Sequence, residues 1–235
     1  MPSFRPELAN NEIYHVIVRG VGDLPIFKNE EDYYRAIFSL YEFNTTKPVV
    51  IRERRMERRK IKNAIGMSYG TDSREPLAEI LAFCFMPNHI HLLIRQISEK
   101  GITNFMRKFG TSYATYFNKK YNRKGHLFQS RFQAVHIQTD EQLKITFTYI
   151  HTNGISLIDS EWKEKGVQNF KKAIEFLNNY KWSSYLDYVG RKNFPSVTKR
   201  DFFIEIMGGE KGCRNFLEDW VRYKKDIYFH FSELP

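Results

Sequence analysis

The segment Met86-Pro87-Asn88-His89-Ile90-His91-Leu92-Leu93-Ile94 carries the strongest structural signal in this chain. Pro87-Asn88 is typical of a tight turn, and the apolar runs 77–86 and 89–96 on either side of it predict a hairpin of two strands. Because strand side chains alternate between faces, His89 and His91 should point the same way. Two imidazoles on one face of a rigid strand can form a metal-binding pair. An isolated triplet of this kind is more often an ordinary polar face of a sheet.

A second segment, about sixty residues downstream, predicts a helix that begins after Thr139 and ends near Gly154. Thr139 suits the N-cap position, acidic residues follow in the first turn, and a glycine is a common stop. Tyr149 and Asn153 lie four residues apart and therefore share one face of that helix. On its own, a helical tyrosine is more often a packing residue than a nucleophile.

Taken together, the two segments resemble the single-tyrosine HUH transposases, and among them the REP-associated tyrosine transposases. HUH stands for two histidines that flank a hydrophobic residue, as in His89-Ile90-His91. Three further segments are similar to the family in the same order, namely 14–20, 125–132 and 182–185. The resemblance covers about residues 13–42 and 77–190. The family usually has Asn-Pro where this chain has Asn153-Gly154.

The resemblance implies a fold, a chemistry and a ligand set. The fold would be α+β, a ferredoxin-like HUH domain with a mainly antiparallel sheet and helices on its faces, which the order of predicted strands and helices also favours. Tyr149 would cleave and rejoin single-stranded DNA beside hairpins through a covalent 5′-phosphotyrosine. His89, His91 and Asn153 would hold Mg²⁺ or Mn²⁺, and imidazole with oxygen ligands suits such ions.

The chain is expected to form one catalytic domain with an appendage. We assign residues 1–158 to the HUH domain and 159–235 to a helical C-terminal extension packed on that domain. Residues 44–76 form a basic insertion that the compact family pattern does not need. Within it, Arg and Lys side chains crowd residues 52–62, as in a solvated loop or a phosphate-binding element.

Charge points to a polyanionic partner. The chain carries 37 Lys+Arg against 27 Asp+Glu, a formal net charge of +10, which favours nucleic acid through counterion release. The residues predicted to contact single-stranded or hairpin DNA are Arg19, Arg107, Lys108, Gln129 and Arg131. Two cysteines cannot build a disulfide framework. The lack of a long apolar run predicts a cytoplasmic protein without a membrane segment.

Several alternatives stay open at this stage. The chain could be a hairpin-DNA-binding protein of transposase descent without turnover, or a replication-initiator-like nicking enzyme, although it shows no helicase P-loop. A homodimer and a monomer are both compatible with the sequence. His15 and His136, each on a predicted strand, either face the same site or are ordinary sheet histidines.

Overall fold

The computed structural model describes residues 7–54, 56 and 74–227. Its sheet has four strands, β1 (Ile13–Arg19), β2 (Ala78–Met86), β3 (His89–Gln96) and β4 (Gln133–Ile137), in the order β2-β3-β1-β4. Each neighbouring pair is antiparallel. Helix α1 (Glu30–Glu42) connects β1 to β2, and α2 (Gly101–Lys120) connects β3 to β4. This β-α-β-β-α-β order is the ferredoxin-like motif, and the predicted α+β fold is confirmed.

The remaining helices follow β4 along the chain. They are α3 (Asp140–Thr152), α4 (Trp162–Lys165), α5 (Phe170–Asn179), α6 (Tyr185–Tyr188), α7 (Asp201–Ile206) and α8 (Gly209–Ile227). The helix predicted to end near Gly154 ends instead at Thr152, and the chain continues as a 3₁₀ turn over Asn153–Leu157. Gly154 lies inside this turn, and a Cβ there would come within 3.1 Å of the Tyr180 ring. The glycine therefore lies in close packing and does not act as a left-handed helix stop.

The alternation of side chains along the strands divides the interior into two cores. On one face, Val16, Phe83 and Leu92 pack beneath α1 and α2. On the other face, Leu93 and Cys84 pack against α3 and the C-terminal helices. His89 and His91 alternate with the apolar residues Ile90 and Leu92, so the two histidines point toward the α3 face of the sheet.

The buried carboxylate of Asp32 fastens α1 to α2. Asp32 completes a capping box with Asn29 at the start of α1. It also accepts hydrogen bonds from the hydroxyls of Tyr116 (3.0 Å) and Tyr121 (2.7 Å) and forms an ion pair with Lys120 (2.8 Å), all on or next to α2. Burial opposes ionisation, but these donors outweigh it and hold the pKa of Asp32 below its usual range.

The C-terminal region covers one edge of the sheet. The amide of Phe85 on β2 donates to the carbonyl of Trp182 (2.9 Å), and the amide of Ser184 donates to the carbonyl of Phe83 (3.0 Å). Residues 182–184 thus run along the outer edge of β2 and pair the backbone groups that an open edge would expose. The Trp182 ring stacks on Tyr33 of α1, with centroids 4.5 Å apart.

Most of the predicted basic insertion, residues 55 and 57–73, lies outside the described residues. Its two ends are held together, since the amide of Thr46 donates to the carbonyl of Glu75 at 2.9 Å. The buried side chain of Asn44 fixes this junction by bonding the backbone of Leu77 and Ala78. Across the described ranges, every helix is too short or too polar to cross a membrane.

Candidate active site

Strand β3 brings the two histidines of the predicted pair together. The rings of His89 and His91 lie with centroids 4.7 Å apart, and His91 is 2% exposed. Burial lowers the pKa of His89 to about 4 and that of His91 well below its usual value, with further lowering by nearby cationic side chains. Both imidazoles are therefore neutral at physiological pH, which is the form that binds a metal ion.

A third histidine, His15 on β1, joins this pair. Its Nε2 lies 2.9 Å from Nδ1 of His91, and the two rings are stacked with centroids 5.1 Å apart. Burial lowers the pKa of His15 to about 4. His136, the other strand histidine considered from the sequence, faces the opposite side of the sheet, where it stacks on Tyr14 and its Nε2 lies 2.7 Å from a carboxylate oxygen of Glu12.

The hydrogen bonds of the two β3 histidines leave their Nε2 atoms available. His89 Nδ1 lies 2.6 Å from the side-chain oxygen of Asn88, an acceptor, so Nδ1 carries the proton and Nε2 keeps its lone pair. His91 Nδ1 is engaged by His15, and His91 Nε2 is a buried atom that meets no partner among the described residues. A ring fixed through Nδ1 with Nε2 unengaged is the usual arrangement of a metal-binding histidine.

Helix α3 places Tyr149 over the histidines. The helix starts as predicted, because the Thr139 side chain accepts a hydrogen bond from the amide of Gln142 at 3.1 Å. The Tyr149 ring centroid lies 5.5 Å from that of His91 and 6.0 Å from that of His15, with near-perpendicular ring planes. The predicted nucleophile and the predicted metal pair are therefore neighbours within one chain.

Asn153 lies at the end of α3 and is 1% exposed. The next residue, Gly154, is also buried. The side-chain nitrogen of Asn153 is buried and meets no partner in the described part of the chain. Because the oxygen and nitrogen of an amide are assigned by their partners, either atom can occupy that position. Within the described ranges, the Asn153 side chain forms no hydrogen bond with His89 or His91.

Lys163 was not anticipated from the sequence. This residue of the short helix α4 donates from Nζ to the hydroxyl of Tyr149 at 3.0 Å, with Nζ 4.7 Å from the centre of the tyrosine ring. It follows Trp162, which is fully buried and donates to Ser156 at 2.9 Å. Nothing in the local spacing of residues 149 and 163 indicates this contact.

The five residues predicted to contact DNA fall in two places. Arg19, at the end of β1, lies opposite His89 in the sheet register, and its exposed side chain pairs with Asp23 at 3.1 Å. The amide of Gln129 bonds the carbonyl of Arg19 at 2.9 Å, so Gln129 lies at the same rim, and Arg131 follows two residues later as an exposed side chain.

Arg107 and Lys108 lie on α2, which covers the other face of the sheet, and they do not join the histidines. They line a groove of about 660 Å³ together with Arg35 and Lys119. The ammonium of Lys108 is turned toward the backbone, where it donates to the carbonyls of Thr46 and Lys47. This second basic surface is therefore separate from the cluster around Tyr149.

The histidine cluster can be compared with known kinds of metal site. The described residues contain no group of three or more His, Cys, Asp or Glu side chains arranged to hold a metal ion. A metal ion at the cluster would therefore depend on the two β3 histidines, an amide oxygen such as that of Asn153, and oxygens of the substrate or of water.

Comparison with known proteins finds a family model that covers the proposed site residues. Residues 49–153, a little less than half of the chain, match the family model described as IS200-like transposase. No curated protein matches the chain. One similar solved structure is described as a REP-associated tyrosine transposase bound to a REP hairpin. The two sequences are 14% identical, the alignment covers 86% of this chain and 93% of that one, and the TM-score is 0.47. The matched residues 49–153 include both β3 histidines, Tyr149 and Asn153, and over this range the predicted resemblance to the single-tyrosine transposases is confirmed.

Proposed function

We propose that this protein is a metal-dependent transposase that cleaves and rejoins single-stranded DNA through Tyr149. One observation carries the proposal: a tyrosine hydroxyl and two neutral histidines with available Nε2 atoms lie together on one face of the sheet. The match of residues 49–153 to the IS200-like transposases supports the reaction class.

The residues present fit a divalent cation such as Mg²⁺ or Mn²⁺. His89 and His91 would hold it through Nε2, and Asn153 would add an amide oxygen, which hard cations accept more readily than zinc does. The buried and unpartnered His91 Nε2 supports this assignment within the described residues. When bound, the cation supplies charge that stabilises the oxygens of the scissile phosphate.

The chain's own groups then account for the bond changes. The Tyr149 oxygen forms a bond to phosphorus, the bond from phosphorus to the upstream 3′ oxygen breaks, and the phenol proton is balanced by the new 3′ hydroxyl. The product is a 5′-phosphotyrosine, which conserves the energy of the phosphodiester. A 3′ hydroxyl can later attack that linkage, release Tyr149 and rejoin the strands.

Single-stranded DNA beside a hairpin is the partner that we propose. Arg19 lies opposite His89 in the sheet register, and Arg131 is an exposed side chain two residues after Gln129; their planar guanidinium groups match phosphate geometry. The solved structure of a REP-associated transposase bound to a REP hairpin is consistent with a folded DNA partner. A cytoplasmic location belongs to the same proposal, and a monomer and a homodimer are both compatible with it.

The test is formation of a covalent protein–DNA adduct. The probe is a pool of 3′-labelled single-stranded oligonucleotides that carry a fixed hairpin next to a randomised flank, incubated with the full chain and MnCl₂. We expect a labelled species that resists SDS, disappears with EDTA and is absent from Tyr149→Phe. His89→Ala and His91→Ala should each reduce it at least tenfold.

A binding measurement on the same probe separates the alternatives. Tyr149→Phe should bind the hairpin pool as the unmodified chain does, since the hydroxyl is used in chemistry. Tight binding by the unmodified chain without any adduct would instead support the non-catalytic hairpin-binding protein. Adduct formation that survives Tyr149→Phe would remove Tyr149 from the mechanism.

A further inference from the structure

We propose that Lys163, contributed by the C-terminal extension, is a positioning residue that orients the Tyr149 hydroxyl and stabilises negative charge on its oxygen. The inference rests on the proposed function. It adds to the site a residue outside the matched range 49–153 and outside the segment 1–158 assigned to the catalytic domain from sequence.

The contact is specific in its geometry. Nζ of Lys163 lies 3.0 Å from the Tyr149 hydroxyl, within the range of a charge-assisted hydrogen bond. The same ammonium lies 4.7 Å from the centre of the tyrosine ring, so it restricts the ring as well as the oxygen. Both side chains are half-buried, which strengthens the interaction relative to one in open solvent.

Among the described residues, the position of the Lys163 ammonium is not explained by an ion pair. Over the described ranges, no carboxylate lies within salt-bridge distance of its Nζ. Its neighbour Lys165, in the same short helix, pairs with Glu161 at 2.7 Å as a surface lysine usually does. The Tyr149 ring that the Lys163 Nζ contacts lies 5.5 Å, centroid to centroid, from the ring of His91, so the ammonium lies beside the histidine cluster.

The local fold holds this lysine in place. Trp162 is fully buried in the core beneath α3, and the amide of Gly166 closes the helical turn on the Trp162 carbonyl at 3.0 Å. Gly166 has φ 77°, a conformation that glycine adopts without strain and that ends the helix abruptly. A four-residue helix anchored in this way carries Lys163 to Tyr149 from outside the ferredoxin-like unit.

The contact between Lys163 and Tyr149 would stabilise the phenol oxygen during both cleavage and rejoining of DNA. During cleavage, the phenol oxygen gains negative character before its bond to phosphorus forms, and an adjacent cation stabilises that charge. During rejoining, the same oxygen is the leaving group. Lys163 keeps its proton throughout, because the phenol proton is balanced at the 3′ oxygen, so no additional acid or base is needed.

The experiment compares three full-length variants with the unmodified chain on the hairpin pool with MnCl₂. Lys163→Met should slow adduct formation at saturating DNA by about 10- to 100-fold, the range expected for loss of a hydrogen bond to a charged group. Lys163→Arg keeps a cation and a donor and should recover most of the rate. Lys165→Met removes the same charge two residues away and should react as the unmodified chain does.

Each of three outcomes of this comparison would overturn the proposal. One is an unchanged rate for Lys163→Met. Another is a loss confined to DNA affinity with an unchanged rate at saturation, which would make Lys163 a DNA contact. An equal loss in Lys163→Met and Lys163→Arg would also contradict it, because the charge would then be irrelevant.

A second readout is independent of metal and DNA. With [¹³Cζ]tyrosine, the Tyr149 resonance is assigned by its absence in Tyr149→Phe. Lys163→Met should shift this resonance, and Lys165→Met should not. If the unmodified chain forms no adduct, the proposed function fails, whereas an unshifted resonance in Lys163→Met overturns the placement of Lys163 whether or not the adduct forms.

Discussion

The orientation of the His91 ring depends on a residue outside the HUH triplet. Its Nδ1 is 2.9 Å from Nε2 of His15, a residue 76 positions earlier in the chain. This bond restrains the orientation of the His91 ring, whose buried Nε2 has no partner among the described residues. His15 therefore supports the proposed metal site through His91.

We predict that His15→Phe lowers Mn²⁺ affinity by about 10- to 100-fold, the usual cost of losing such a supporting group. Phenylalanine fills a similar volume but offers no acceptor to His91. Isothermal titration with MnCl₂ measures the change, and His136→Phe is the control because His136 faces the other side of the sheet. Equal affinities of His15→Phe and the unmodified chain would contradict this role.

The buried carboxylate of Asp32 makes the unfolding free energy depend on pH. Its folded-state pKa is lowered, so the stability it contributes is fully present above its unfolded pKa of about 3.9. That contribution is lost as the pH falls through the lowered folded pKa. Asp32→Asn should cost about 3 kcal/mol of unfolding free energy near neutral pH, since it leaves Lys120 with Glu31 as its remaining carboxylate partner.

Urea unfolding of both chains between pH 7 and pH 2 measures this effect. The difference in unfolding free energy should stay constant down to about pH 5 and shrink below about pH 4. A difference that grows on acidification would mean that the folded-state pKa of Asp32 is raised, contrary to the observed hydrogen bonds.

The residues of the site differ in how far the sequence could predict them. His89 and His91 lie two residues apart on a strand, and Tyr149 and Asn153 lie four residues apart at the end of a helix, so local periodicity predicts that the members of each pair share a face. Lys163 and His15 reach the site through tertiary packing, which periodicity does not encode. Tertiary packing also determines that the ammonium of Lys108 donates to the backbone carbonyls of residues 46 and 47, a contact that no local pattern indicates.

At the scale of elements, the turn after β1 determines how the hairpin of β2 and β3 meets the rest of the sheet. The amide of Gly20 donates to the carbonyl of Asn88 at 2.8 Å. A Cβ on Gly20 would lie 2.4 Å from the carbonyl oxygen of Leu24 and 2.9 Å from the side chain of Ile26. The backbone oxygen cannot move away without disturbing the turn beside His89.

We predict that Gly20→Ala lowers the free energy of unfolding by about 2 kcal/mol, as overpacking of a close contact does. Gly110→Ala is the matched control. Its nearest atom would be the Phe128 ring at 3.9 Å, and a glycine inside α2 costs helix stability. That variant should be more stable by about 1 kcal/mol. Denaturant titration distinguishes them, and equal effects would contradict the packing described here.

The elements themselves were largely predictable. The capping residue Thr139, the turn Pro87-Asn88 and the alternation in β1 and β3 are local signals, and each gave the element that the structure has. The 3₁₀ turn over Asn153–Leu157 was not predicted, because it depends on how the Tyr180 and Phe176 rings pack on Gly154.

At the scale of the whole molecule, the C-terminal extension is part of the folded unit. It supplies large side chains to the core beneath α3, including Trp162, Tyr185, Tyr188, Phe203 and Leu217. It also pairs the outer edge of β2 through residues 182–184. A sheet deprived of these groups would expose one apolar face and one open edge.

We therefore predict that a chain ending at Ile158 does not form a native core, whereas the full chain unfolds in one cooperative transition. The fragment should show weak near-ultraviolet circular dichroism and strong binding of a hydrophobic dye, as loosely packed states do. Calorimetry of the full chain is the companion measurement. A fragment that unfolds cooperatively with native near-ultraviolet dichroism would show that residues 1–158 fold independently.

The central claim is that Tyr149 becomes covalently attached to DNA, and peptide mapping of the adduct tests it most directly. The full chain is trapped on the hairpin oligonucleotide pool with MnCl₂, digested with trypsin and nuclease, and analysed by mass spectrometry. The account predicts a nucleotide phosphate on the peptide that contains Tyr149, and none when EDTA is present. A phosphate on another residue, or cleaved DNA with no modified peptide, would contradict it.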